Sequence, residues 1–88
     1  MRSEITIVNK LGLHARAAVK LVELASTFNS KITLARGAKS VNGKSIMGVM
    51  MLAASKGTVV EVIAEGDDEA LALEKIKGLV LQRFGEGE

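Results

Sequence analysis

The sequence holds one histidine, His14, and an arginine, Arg16, follows it two residues later. An imidazole is a nucleophile near neutral pH, and a guanidinium binds the oxygens of a phosphate. The pair therefore indicates a surface site that can carry a phosphoryl group. The alternative is a surface histidine with no task, and the elements around His14 bear on that choice.

Those elements place His14 between a strand and a helix. An alternating run predicts a strand over residues 4–8, and apolar residues at helical spacing predict a helix over residues 15–28. The first N–H groups of a helix have no acceptor within it, and its dipole favours anions at that end. We therefore expect a phosphate on His14 to contact three backbone amides, those of Ala15, Arg16 and Ala17.

Length and composition predict a single domain over residues 1–88, because 88 residues that are 48% hydrophobic can build one core. So small a domain favours a surface site over an enclosed cleft. The absence of cysteine excludes disulfides and thiolate chemistry. No signal peptide is visible, and no apolar run approaches the roughly 20 residues that span a bilayer. We expect a cytoplasmic protein without membrane insertion.

The charge and the composition of the chain argue against several classes of function. A net charge of +2 and two phenylalanines do not support nucleic-acid binding. A metal site is not expected, because the single histidine has no second histidine or any cysteine to share it with. A nucleophilic hydrolase would need a serine or cysteine paired with a base and an orienting acid, and no such arrangement is evident in the sequence. The charged residues from 31 to 56 are all basic, which suits either an acidic partner or a solvated face: Lys31, Arg36, Lys39, Lys44 and Lys56.

The remaining segments alternate between strand and helix patterns. They predict strands over residues 31–36, 39–42 and 58–65 and a helix capped by Ser45 that ends near residue 52 or 53. They also predict a last helix that is capped by Asp67, runs to about Phe84 and is closed by Gly85. Residues 86–88 are expected to fray. The order β-α-β-β-α-β-α predicts a two-layer α/β sandwich with the helices on one side, and it leaves the strand order open.

The second predicted helix is unusual, because residues 46–52 include no polar side chain. A helix of this kind cannot bury every face in so small a protein, and exposed apolar patches often mark partner sites. Its methionines can adapt to different partners. The alternative is that they only fill the core.

The run around His14 reads Gly12-Leu13-His14-Ala15-Arg16-Ala17-Ala18. It resembles the phosphohistidine motif of the HPr family, the histidine-containing phosphocarriers of the phosphoenolpyruvate-dependent sugar phosphotransferase system. That motif usually reads Gly-hydrophobic-His-(Ala/Thr)-Arg-Pro-Ala, so Ala17 stands where proline is most common. Residues 44–50 are similar to the family's regulatory serine segment. Together with similar residues at 56–58 and 64–69, the resemblance spans nearly the whole chain.

The resemblance implies an open-faced antiparallel sheet of order 1-4-2-3 with three helices on one face. It also implies a carrier rather than an enzyme in its own right, with no cofactor. Nδ1 of His14 would take a phosphoryl group from phospho-Enzyme I and pass it to EIIA domains, and Arg16 would stabilise the phosphate. Ser45 would be the site of regulatory phosphorylation by an HPr kinase/phosphorylase.

We expect a monomer whose partner surface adjoins His14 and is formed by Ala18, Lys20, Ile46, Met47 and Met50. Two alternatives stay open at this point. The chain can belong to the nitrogen-related regulatory branch of the same family. It can also be a small adaptor that binds partners through its methionine-rich helix and never carries phosphate.

Overall fold

A computed structural model describes residues 1–85 of the chain. The elements run in the order β1 (Arg2–Thr6), α1 (Ala15–Ala25), β2 (Lys31–Arg36), β3 (Lys39–Asn42), α2 (Ile46–Met51), β4 (Val59–Glu65) and α3 (Glu69–Leu81), and a 3-10 turn follows over Arg83–Gly85. This is the predicted order of strands and helices. The predicted fraying of residues 86–88 lies outside the described residues.

The four strands form one antiparallel sheet of order β1-β4-β2-β3. The valine-rich strand β4 lies in the interior of the sheet, where Val60 pairs with Ile5 of β1 and Val62 pairs with Leu34 of β2. β-Branched side chains suit such a position, because they pack well on a pleated surface. The order implied by the family resemblance is confirmed.

One face of the sheet carries the core. Along β4 the side chains alternate, so that Val60, Val62 and Ala64 are buried against the helices while Val59 on the other face is exposed. From the helices, Leu21 of α1 and Ile76 of α3 complete this layer. The result is the expected open-faced α/β sandwich. Within residues 1–85, no helix combines the length and the apolar character that crossing a membrane requires.

The boundaries of β1 and α1 differ from the prediction, and β4 begins at Val59 rather than at residue 58. β1 covers Arg2–Thr6 rather than residues 4–8, although Ile7 continues the pairing: its N–H donates to the carbonyl of Thr58 at 2.9 Å. α1 ends at Ala25 rather than at Phe28. The amide of Phe28 donates to the carbonyl of Ala25 at 3.2 Å, which tightens the last turn and still buries the phenyl ring.

The predicted cap of the last helix was also wrong. Asp68, not Asp67, occupies the N-cap of α3, and its carboxylate makes no cap bond. It instead accepts hydrogen bonds from the amides of Asn29 and Ser30, at 2.8 and 3.0 Å, and from the hydroxyl of Ser30. The carboxylate of Asp68, which local capping rules assign to the helix, therefore makes a tertiary contact instead.

The end of α3 differs as well. The helix stops at Leu81 with Gln82 as its C-cap, so Gly85 is not the cap and the helix does not reach Phe84. Arg83 and Phe84 both have φ of 54° and Gly85 has φ of 76°. A right-handed helix cannot contain this left-handed backbone, which accounts for the early end.

Candidate functional site

His14 is the N-cap residue of α1. Its backbone is extended, with φ −76° and ψ 178°, and its carbonyl accepts the first helical hydrogen bond from Ala18 at 2.8 Å. The imidazole is half-buried and Arg16 in the first turn is exposed. The amides of Ala15, Arg16 and Ala17 precede the first helical bond, so none has an acceptor inside the helix. His14, Arg16 and three N–H donors therefore belong to the same helix end.

A buried asparagine organises the loop before His14. Asn9 is fully buried, and its Nδ2 donates to the carbonyl of Gly12 at 2.9 Å. The amide of Gly12 donates back to the carbonyl of Asn9 at 3.2 Å. The residue patterns between β1 and α1 did not predict this role of Asn9. Asparagine and glycine are common turn residues, which indicates a turn over residues 9–12 but not this particular bond.

The same loop is attached to the segment that follows α2. The amide of Leu13 donates to the carbonyl of Ala54 at 2.8 Å. Gly12 has φ of +64°, and a Cβ at this position would lie 2.5 Å from the carbonyl oxygen of Ala54 and 2.8 Å from Cα of Ser55. Only glycine allows so close an approach. His14 is thus held in register with the end of α2.

One of the residues predicted on the partner surface, Ala18, lies elsewhere. Ala18 is completely buried, and so is the methyl group of Ala17. Both lie on the face of α1 that packs on the core with Leu21 and Val22, so Ala18 cannot contact a partner, and this part of the prediction is wrong. Lys20 is half-buried, and its Nζ donates to the carbonyl of Phe84 at 2.6 Å.

Ser45 caps α2 as predicted. Its backbone is extended, with φ −117° and ψ 119°, and its Oγ accepts a hydrogen bond from the amide of Gly48 at 3.1 Å. This is the ordinary geometry of an N-cap serine. The side chain is half-buried, at the boundary between the core and the exposed face of α2.

The exposed face of α2 is apolar. Only Val49 of this helix is buried, and Met47 is 70% exposed. The methionines of α2 are therefore not core filler. Leu11, in the loop before His14, is 65% exposed and was not predicted as part of any site. We call the exposed apolar residues of α2 the methionine surface: Ile46, Met47, Met50 and Met51.

Three of the basic residues between positions 31 and 56 bind main-chain carbonyls. Arg36 donates from Nη1 to the carbonyls of Leu52 and Ala53, both at 3.0 Å, and Lys39 donates to that of Met51 at 2.8 Å. Lys44 donates to the carbonyl of Phe28 at 2.7 Å. Arg36 and Lys39 thus satisfy the carbonyl end of α2, which cations stabilise.

The comparisons with known proteins agree with this geometry. A family model described as the PTS HPr component phosphorylation site matches residues 1–82. Phosphocarrier protein HPr of Neisseria meningitidis is 51% identical over 88 residues, which are 100% of this chain and 99% of the relative. The protein of the same name from Cupriavidus necator is 49% identical over the same shares. A crystal structure of HPr-C-His from Thermoanaerobacter tengcongensis has a TM-score of 0.94 at 48% identity, covering 98% of this chain and 97% of the other. This chain belongs to the HPr family of phosphocarrier proteins of the phosphotransferase system.

Proposed function

We propose that this chain acts as one domain over residues 1–88 and carries a phosphoryl group on Nδ1 of His14. The group comes from phospho-Enzyme I and goes to EIIA domains of the sugar phosphotransferase system. The observation that carries the proposal is the position of His14 at the N-cap of α1, with Arg16 and the amides of residues 15–17 at the same helix end. Membership of the HPr family supports it.

The chemistry is an in-line displacement at phosphorus. The lone pair of Nδ1 attacks the phosphorus atom, the N–P bond forms, and the bond to the donor breaks with its electron pair. In the second transfer a nucleophile of the EIIA domain attacks the phosphorus atom and forms the new bond, while the N–P bond breaks and its electron pair returns to the imidazole of His14. Arg16 and the helix amides spread the charge of the phosphate oxygens, and a modest stabilisation suffices, because tight binding of the phosphorylated state would slow the second transfer.

The first test is incubation with phosphoenolpyruvate and Enzyme I from the same organism, followed by intact mass and phosphorus NMR. We expect one acid-labile phosphate on the wild type and none on His14→Ala. A phosphate that persists on His14→Ala would place the acceptor elsewhere. A folded wild type that takes no phosphate would favour the adaptor function.

Partner docking is assigned to the methionine surface together with Leu11. Exposed apolar side chains on either side of a functional residue are typical of a protein contact, and methionine adapts to partners of different shape. The bond between Leu13 and Ala54 keeps His14 in register with the end of α2. We expect Met47→Glu to slow transfer from Enzyme I at least tenfold. The control is Leu71→Glu, an exposed leucine of α3, which should leave the rate unchanged.

Phosphorylation of Ser45 by an HPr kinase/phosphorylase is the regulatory part of the proposal. It would add about −1.5 to −2 charges beside the methionine surface and weaken docking. Incubation with the kinase and ATP should label the wild type but not Ser45→Ala. Ser45→Asp and Ser45→Asn form a matched pair, since both residues are good N-caps and only aspartate adds charge. We expect the aspartate variant alone to slow transfer from Enzyme I, and equal rates would remove Ser45 from the regulation.

A further inference from the structure

A groove beside the end of β1 has a chemical character that the phosphocarrier site does not use. Residues 6–8, Lys10, Lys56, Gly57 and Arg83 line it. Its volume of about 670 Å³ falls in the range of small-molecule sites. Three of these lining residues are cationic, and none of those within residues 1–85 is acidic.

Backbone hydrogen bonds fix one wall of the groove. The amide of Ile7 donates to the carbonyl of Thr58 at 2.9 Å, and the amide of Gly57 donates to the carbonyl of Ile7 at 2.7 Å. Gly57 has φ of +91°, which makes the turn after Lys56 possible. Lys56 is therefore held next to the end of β1 by main-chain contacts rather than on a free loop.

Arg83, which also lines the groove, lies on a constrained turn. Arg83 and Phe84 both have φ of 54°, a left-handed backbone that is rare for residues other than glycine. Phe84 is completely buried, and its carbonyl accepts a hydrogen bond from Nζ of Lys20 at 2.6 Å. Packing thus holds a strained backbone at Arg83, and strain of this kind tends to occur at functional sites.

The other grooves described within residues 1–85 have a different charge. The one between β1 and α3 pairs Glu4 with Lys77. The one on the open face of the sheet contains Glu4 and Glu61, and the one at the β2–β3 edge contains a single cation, Lys31. Each of these three grooves has fewer cationic lining residues than the groove at the end of β1.

We propose that this groove binds a small oxyanion with two or more charges, of the class of diphosphates and bisphosphorylated metabolites. Lysine and arginine are the side chains that bind phosphate most strongly, and Lys56 and Arg83 match a ligand with two phosphate groups. His14 and Arg16 are not among the described residues that line the groove. The ligand is therefore distinct from the phosphoryl group carried on His14.

The test is a titration of the ¹⁵N-labelled full chain with inorganic pyrophosphate, at an ionic strength held constant with sodium chloride. We expect saturable shifts of the amides of Lys10, Lys56 and Gly57, with half-saturation below about 1 mM. Orthophosphate should bind more weakly because it offers fewer oxygens and less charge. Shifts that do not saturate, or that sodium chloride alone reproduces, would overturn the proposal.

Matched variants locate the ligand. Lys56→Gln and Arg83→Gln should each weaken pyrophosphate binding about tenfold, which is the loss of one charge-assisted hydrogen bond. Lys75→Gln, on the exposed face of α3, should leave it unchanged. His14→Ala should also bind normally. Loss of pyrophosphate binding in His14→Ala, or shifts confined to residues 14–18, would place the anion at the phosphoacceptor site. Either result would overturn the proposal that the groove binds it. A chain that fails to accept phosphate from Enzyme I would leave these results unaffected, so the two proposals fail separately.

Discussion

The buried side chain of Asn9 donates from Nδ2 to the carbonyl of Gly12 at 2.9 Å and closes the loop that leads to His14. The returning bond, from the amide of Gly12 to the carbonyl of Asn9, makes the contact reciprocal. The loop is therefore ordered before α1 begins. This matters in a chain whose first helical turn has Ala17 in place of the family's usual proline.

Removing the side chain of Asn9 should affect both stability and transfer. In Asn9→Ala the carbonyl of Gly12 loses its buried donor, and we expect a loss of about 1–3 kcal/mol in urea denaturation. Transfer from Enzyme I, measured where the variant is fully folded, should also slow because His14 is less well positioned. The matched control is Asn29→Ala at an exposed position, which should change neither quantity. Normal transfer by folded Asn9→Ala would show that Asn9 is purely structural.

Two glycine substitutions separate backbone strain from close approach. Gly12 and Gly37 have φ of +64° and +58°, but only a Cβ on Gly12 would meet other atoms. Gly37→Ala should cost about 1 kcal/mol, for the left-handed backbone alone. Gly12→Ala should cost about 3 kcal/mol, because the methyl group also displaces the segment at Ala54. Equal losses of unfolding free energy would mean that the contact with Ala54 adapts freely.

Ala53 offers a stabilising substitution. It has φ of 53° directly after the C-cap of α2, where glycine is the preferred residue. We expect Ala53→Gly to raise the free energy of unfolding by about 1 kcal/mol, since relief of the left-handed strain exceeds the entropy that glycine adds in the unfolded chain. Ala70→Gly, at an exposed position of α3, should lower it by a similar amount. A loss in both variants would contradict the left-handed conformation of Ala53.

The stability of the fold should depend on pH through Asp68. The hydroxyl of Ser30, followed by the amide of Asn29, lowers the pKa of the Asp68 carboxyl below its usual value. The folded state therefore prefers the ionised form. Its contribution is complete above the unfolded pKa of about 3.9 and is lost as the pH falls through the lower folded pKa.

Asp68→Asn should accordingly be less stable than the wild type at pH 7, and the difference should shrink below about pH 4. Thermal unfolding of both proteins across this range measures it. Asp67→Asn, one residue earlier and exposed, is the matched control and should follow the wild type at each pH. A difference between Asp68→Asn and the wild type that stays constant down to pH 2 would contradict the assignment.

Ala17 lies in the first turn of α1, where proline has no helical N–H bond to lose. Alanine keeps an amide donor for the phosphate, whereas proline would fix the backbone. We expect the wild type and Ala17→Pro to accept phosphate from Enzyme I at rates within about tenfold of each other. A tenfold difference in rate corresponds to about 1.4 kcal/mol in the activation barrier. A much larger gain in Ala17→Pro would show that the wild-type site is impaired by the missing ring.

Much of the fold could be predicted from local patterns. The strands Lys31–Arg36 and Lys39–Asn42 and the cap at Ser45 were predicted correctly, because alternation, turn residues and capping act over a few neighbouring residues. The motif around His14 likewise follows from residue types and spacing. Without that family resemblance, the pattern of elements would have left the strand order open.

The tertiary structure decided the positions of the side chains whose partners are distant in the sequence. The carboxylate of Asp68 binds Ser30, which lies close to it in space, instead of capping its own helix. Ala18 is buried in the core because α1 turns that face toward the sheet. Arg36 and Lys39 donate hydrogen bonds to carbonyls at the end of α2. The sequence by itself determined the order of the elements and the position of His14 between a strand and a helix. The packing of those elements determined which side chains remain exposed for a partner or a ligand, since burial and long-range hydrogen bonds depend on the whole fold.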